Sequence, residues 1–191
     1  IELGRRTRPQ AYGMTGTFVP VIARNLRIEV AERIEASGAV RVPLDEDGVR
    51  KAVRQLLDAG CESLVIHFLH CYANPEHERR AAEIAAELWP NGHITMGHAL
   101  LSEAREFERG VTAAVNASVQ PILERYVAKL RAELAVQGYA RDFLMMNGNG
   151  GMISARFVTR EAAKTVMSGP ASGVIAAAYT GKRAGFENLV T

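Results

Sequence analysis

The order of signals along the chain predicts an α/β fold, and three observations carry that prediction. After residue 45, helical and strand patterns alternate: a helix to about Ala59, the apolar run SLVIHFL at 63–69, a helix after Asn74-Pro75, and a strand at 93–96. Helix–strand–helix–strand at this spacing is a βαβ crossover unit with parallel strands. An alternating stretch at 26–42 reads as a β-hairpin placed before it. One very long helical pattern at 103–137 then leads into a Gly-rich segment at 143–179.

Taken in order, residues 1–25 carry Arg5, Arg6, Arg8 and Arg24 among Pro9, Gly13, Gly16 and Pro20, an irregular arm with a solvated basic face. In the hairpin, Leu26, Ile28, Val30, Ile34, Val40 and Val42 alternate with charged residues around a Ser37-Gly38 turn, so one face of the sheet is expected to be wet. Asp45 caps the next helix, whose face is Val49, Val53, Leu56 and Leu57, and Gly60 stops it. The run at 63–69 is expected to be a strand covered on both sides. Asn74 and Pro75 open a helix presenting Ala81, Ile84, Ala85 and Leu88, closed by Pro90-Asn91-Gly92.

In the long helix Phe107, Val111, Val115, Val119, Ile122, Tyr126, Leu130 and Leu134 recur at steps of four or three, and Gly138 ends it. Pro121 removes a backbone hydrogen bond, so a kink or break is expected there. The segment 143–179 reads as strand (Leu144, Met145, Met146), Gly-rich turn, short helix, strand (Val166, Met167), Ser-Gly-Pro turn and helix from Ala171 to about Arg183. Ser168 is the expected cap and Pro170 the first helical residue.

Composition sets bounds on function. A chain of 191 residues with 48% hydrophobic content suits one large domain or two small lobes with a real core. A net charge of +2 gives no argument for nucleic acid, and 6% aromatic content offers no stacking platform for bases. Cys61 and Cys71 read as reduced core thiols, which points to the cytoplasm. No apolar run of about 18 residues suggests a membrane span. The chain begins without Met and stops in the apolar run NLVT, so it is expected to be a piece of something longer.

Three places carry candidate chemistry. The Gly-rich corner Asn147, Gly148, Asn149, Gly150 and Gly151, and the turn with Ser168, Gly169 and Gly173, are where backbone N–H groups could hold an anion such as phosphate; two ligand-free αβ corners are the alternative. Neither the Walker pattern nor GxGxxG is present. His67, His70, Cys71 and His77 form H-x-x-H-C-x5-H. These are transition-metal donors, but side chains alternate along a strand, so His67 and His70 should diverge. No metal ligand set is assigned; His70 is expected to hold the loop 71–74. Glu103, Arg105, Glu106, Glu108 and Arg109 read as a solvated helix start, with acid–base work or Mg²⁺ binding as the alternative.

Several stretches in one order then resemble a known family. They are RRTRP (5–9), LRIEVAERIEASGAV (26–40), PLDED (43–47), LHCYANPEHERRAAEI (69–84), SEAREFERG (102–110), PILERYVAKL (121–130), NGNGGM (147–152), SGPASGV (168–174) and NLVT (188–191). Together they resemble the hydantoinase A/5-oxoprolinase family, which includes N-methylhydantoinase subunits and acetone and acetophenone carboxylase subunits. The resemblance implies a partial actin-like ATPase fold of ribonuclease-H-like lobes, with residues 1–101 closing an N-terminal domain and 102–191 starting the hydantoinase A domain.

It also implies ATP and Mg²⁺ in the intact parent, and phosphorylation of a carbonyl-derived oxygen. The substrate would be a cyclic amide opened by hydrolysis, or a ketone that is carboxylated. A second, hydantoinase B-type subunit is the implied partner, and neither nucleic acid nor membrane is. The family's two Asp- and Gly-rich phosphate hairpins would lie before Ile1 and after Thr191. On this reading the chain supplies the cleft wall at Asn147–Gly151 and Ser168–Gly173 and is inactive alone. NGNGG departs from the SNGG form expected of a hydantoinase, which keeps the carboxylase branch open. A non-catalytic interaction module is the remaining reading.

Overall fold

A computed structural model describes residues 19–191. Arg5, Arg6 and Arg8 of the expected basic arm lie outside the described residues. Two compact units are present, Ile1–Ser118 and Val119–Thr191, each with mixed α/β structure.

In the first unit, a short 3-10 turn at Arg24–Leu26 precedes a hairpin of β1 (Arg33–Ile34) and β2 (Val40–Val42). Residues 27–30 are not strand, so the hairpin is shorter than the alternation suggests. Gly38 takes φ +86° in the turn, where its N–H donates to Glu35 O. Ile34 alone of the strand residues is buried; Val40 and Val42 are exposed, against the expected inward face.

Asp45 caps α1 (Glu46–Asp58) by accepting from Gly48 N at 3.0 Å, and Gly60 ends it at φ +77°. Strand β3 (Leu64–Ile66) leads through a loop to α2 (Glu76–Ala86) and to β4 (Ile94–Met96), parallel to β3 in the register Leu64↔Ile94. The expected crossover unit is therefore present. Asn74 Oδ1 accepts from Glu76 N at 3.0 Å at the start of α2. The core is Val49, Val53, Leu64, Ile66, Ala81, Ile84, Ala85 and Trp89. Burying each large side chain contributes about 1.5–3 kcal/mol.

The run 63–69 is strand only over its first half. Phe68 N–H donates to the Glu78 carboxylate at 2.9 Å instead of to a neighbouring strand, and the chain turns at His70, φ +56°. A short α3 (Gly97–Leu100) follows β4 directly.

Helix α4 (Glu106–Val136) is 31 residues long, about 46 Å at roughly 1.5 Å per residue. It runs through Pro121 without a break. One missing N–H removes a single hydrogen bond, which a helix of this length absorbs. Its buried stripe also differs from the expected one. Arg109, Ala113, Asn116, Ala117, Gln120, Leu123 and Val127 are buried, while Ile122 and Tyr126 are exposed. Gly138 at φ +85° closes the helix, with Tyr139 N–H on Leu134 O at 2.9 Å.

In the second unit β5 (Leu144–Met146) pairs antiparallel with β6 (Met152–Ser154). The Gly-rich turn is thus a hairpin turn and not a strand–helix junction. The expected short helix is a 3-10 turn at Ala162–Thr165, and Val166-Met167 forms no strand. Met167 takes φ +65° and α5 starts at Ser168 (Ser168–Arg183), so Ser168 is inside the helix, without a side-chain cap bond, and Pro170 is its third residue. Leu123, Val127, Ala155, Val158 and Ala162 form this unit's core.

Candidate functional site

The glycine corners come together in the second unit. Gly148 N–H donates to Lys164 O at 2.7 Å, and a Cβ there would sit 2.2 Å from Val166 O. Only glycine permits that approach of the turn to the segment before α5. Gly150 has φ +83°, and a Cβ there would meet Ile175 Cδ1 of α5 at 3.0 Å. The turn and the first turns of α5 are therefore neighbours.

Four of the five turn amides donate within the protein. Asn147 N bonds Gly151 O, Gly148 N bonds Lys164 O, Gly150 N bonds Asn147 O, and Gly151 N bonds Asn149 Oδ1 at 2.9 Å. These amides are engaged, which makes the turn a shaped wall rather than an open anion cradle. Asn147 Oδ1 is a buried acceptor with no partner. Gly169 and Gly173, on the first two turns of α5, face open space: a Cβ at either meets nothing within 4 Å. The start of a 16-residue helix carries N–H groups and a partial positive charge that favour an anion.

The first unit holds a second constellation at the ends of β3 and β4. Glu78, fully buried on α2, accepts from Phe68 N at 2.9 Å with Oε1, and from His98 N at 2.9 Å and His98 Nδ1 at 2.7 Å with Oε2. His67 Nδ1 lies 3.8 Å from Glu78 Oε1. His67, Cys71 and Glu78 each offer one donor atom, all within 4.8 Å of one another. Arg109, also fully buried, donates to Glu103 O and Phe68 O and stacks 5.5 Å from the Tyr72 ring.

Burial pushes the Cys71 thiol up to about 12, helped by its hydrogen bond to Glu78. Burial lowers His67, which keeps its imidazole neutral although Glu78 pulls the other way. Desolvation outweighs the neighbouring charge in that case.

The H-x-x-H-C-x5-H pattern is divided by the fold. His70 Nδ1 donates to Ile34 O at 2.8 Å and His77 Nδ1 pairs with Glu32 at 2.8 Å, so both pin the β1–β2 hairpin. His70 also holds loop 71–74 as expected, its O accepting from Ala73 N at 2.9 Å and Asn74 N at 3.2 Å and its ring lying edge-on to Tyr72 at 6.0 Å. Of the four, only His67 and Cys71 place a donor atom beside Glu78. Among the acids and bases of the long helix's start, Arg109 is interior rather than solvated, while Arg105 pairs with Glu108 at 3.8 Å.

Glu78 and His98 were not singled out from the sequence. A signal existed for Glu78: it shares the buried helical stripe with Ala81 and Ala85, at spacings of three and seven. An acid inside an apolar stripe needs a buried partner.

Comparison with known proteins gives matches along both halves. Residues 1–89 match the hydantoinase/oxoprolinase N-terminal region, and residues 109–191 match hydantoinase/oxoprolinase. The chain is 36% identical over 177 residues to the acetophenone carboxylase gamma subunit of Aromatoleum aromaticum, covering 90% of this chain and 24% of that one. It is 30% identical over 200 residues to 5-oxoprolinase 1 of Arabidopsis thaliana, covering 94% of this chain and 15% of that one. Among solved structures, nucleotide-free acetone carboxylase, from work on ATP-dependent acetone carboxylation, superposes with a TM-score of 0.79 at 32% identity. It covers 91% of this chain and 25% of that chain. The chain spans about a quarter or less of the length of these relatives.

Proposed function

Because the chain belongs to the hydantoinase/oxoprolinase family, we propose that it is part of a subunit that couples ATP to the hydrolysis of a cyclic amide. The observation that carries this reading is the collinear match of both family regions over nearly the whole chain, with a 5-oxoprolinase among the relatives. ATP with Mg²⁺ would supply a phosphoryl group to the substrate's carbonyl oxygen. A second reading, a ketone carboxylase subunit, is favoured by the higher identity to the acetophenone carboxylase subunit and the likeness to acetone carboxylase.

In either case the fold would be a partial actin-like ATPase, with a domain boundary near 101/102. Asn147, Gly148, Asn149, Gly150, Gly151, Ser168, Gly169 and Gly173 would line the nucleotide or substrate cleft. Within that wall, Gly148 and Gly150 set the turn's position, and Gly169 and Gly173 leave room for a ligand against α5. The helix start orients and partly neutralises an anionic group. Positioning and charge stabilisation are most of what phosphoryl transfer asks of a protein. A second, hydantoinase B-type subunit is the proposed partner and the cytoplasm the proposed location. Among the described residues no helix is long and apolar enough to cross a membrane.

Substrate-stimulated ATP hydrolysis by the full-length protein with its partner subunit tests the proposal. Stimulation by 5-oxoproline or hydantoin supports the hydrolase. Stimulation only by acetone with bicarbonate selects the carboxylase. No ATP hydrolysis under either condition overturns both and leaves a non-catalytic module.

A further inference from the structure

We propose that His67 Nδ1, Cys71 Sγ and Glu78 Oε1 form a binding site for one divalent transition-metal ion of the zinc class, at the C-terminal end of β3. The donor atoms lie within 4.8 Å of one another, and tetrahedral zinc, with bonds of roughly 2.0–2.3 Å, needs ligand separations of about 3.3–3.8 Å, so the donors close by about 1 Å on binding. His67 Nδ1 is buried with no hydrogen-bond partner. The Glu106 backbone meets the same ring in a sense that favours its protonated form. Nδ1 faces a carboxylate oxygen at 3.8 Å, too far for a hydrogen bond.

Space for an ion is built in by Gly97. A Cβ there would lie 2.8 Å from His67 Nδ1 and 3.3 Å from Glu78 Oε1. Glu78 keeps Oε2 on His98 and accepts from Phe68 N at 2.9 Å with Oε1, which fixes the carboxylate and leaves the second lone pair of Oε1 for an ion. Burial and Glu78 keep Cys71 protonated in the metal-free protein, with Arg109 acting against them, so an ion must displace that proton. On binding, the Cys71 S–H bond breaks, the proton leaves to solvent, and the sulfur pair forms the metal bond. A mixed N, S, O set suits zinc or cobalt rather than the Mg²⁺ that accompanies a nucleotide. The site belongs to the first unit and stands without the reading given to the glycine corners of the second.

The test is titration of chelator-treated full-length protein with Co²⁺. One equivalent should produce a thiolate-to-cobalt charge-transfer absorption, which Zn²⁺ then abolishes by displacement. Cys71→Ser should remove the absorption and Cys61→Ser should keep it. His67→Gln should weaken affinity at least tenfold, and serves if Cys71→Ser does not fold. No charge-transfer absorption in the wild type, its survival in Cys71→Ser, or unchanged affinity in His67→Gln would overturn the proposal.

Discussion

Glu78 holds His98 twice, with one carboxylate oxygen accepting from the His98 backbone N–H at 2.9 Å and from its Nδ1 at 2.7 Å. The other oxygen accepts from Phe68 N–H at 2.9 Å. One buried side chain of α2 therefore ties down the chain leaving β3 and the chain leaving β4.

Replacing Glu78 with Gln puts an NH₂ where an acceptor is needed, so one donor faces another. Loss of a charged, multiply bonded buried acceptor should cost about 2–4 kcal/mol. Urea unfolding followed by Trp89, the single tryptophan and part of the same core, measures it. A loss within about 0.5 kcal/mol, the scale of an ordinary surface substitution, would show that the carboxylate is not what joins these ends.

Gly148 and Gly173 should respond oppositely to a methyl group. At Gly148 a Cβ meets Val166 O at 2.2 Å, so Gly148→Ala should destabilise by about 1–3 kcal/mol. At Gly173, inside α5 with open space, Gly173→Ala should stabilise by about 0.5–1 kcal/mol. Denaturant midpoints of the two variants check the contrast, and a reversed order contradicts the close approach.

The two thiols should differ in reactivity. Cys71 is buried and its thiol is raised from 9.0 to about 12, whereas Cys61 is half-buried. The thiolate is the nucleophile, so with chelator present at pH 8 iodoacetamide should modify Cys61 first and Cys71 only after unfolding. Mass spectrometry of the labelled peptides reads this, and equal rates would refute it.

The same shift fixes a pH dependence. The folded state keeps the Cys71 proton that the unfolded state gives up near 9.0, so this contribution is full below about 9 and is lost as pH rises towards 12. His67 has the opposite sign: its depressed folded value makes its contribution full above about 6.5 and lost as pH falls. Cys71→Ala should flatten the alkaline limb of a stability–pH profile. An unchanged limb would mean that another group causes it.

Much of the first unit was legible because its signals are local. Asp45, Gly60 and the stripe Val49, Val53 act within one helix, and the β3–α2–β4 crossover follows from spacing. The misreadings arose where distant residues decide. Phe68 leaves the strand because Glu78, ten positions on, takes its N–H. The stripe of α4 was assigned to its large apolar residues, yet its inner face is built of alanines with Arg109, Asn116 and Gln120, whose burial depends on partners such as Thr95 for Asn116. Asn-Gly-Asn-Gly-Gly fits a hairpin turn as well as a strand–helix corner, and pairing of Met146 with Met152 settles it. The family resemblance was legible in ordered motifs, while the Glu78 cluster exists only in three dimensions.

The central claim is that the start of α5 borders a nucleotide cleft, and the ATP KM of the full-length enzyme carrying Gly169→Val tests it most directly. The fold has room for the side chain, since a Cβ at Gly169 meets nothing within 4 Å. The account predicts a KM raised at least tenfold with the unfolding midpoint nearly unchanged. A wild-type KM and kcat in a folded Gly169→Val enzyme would contradict it.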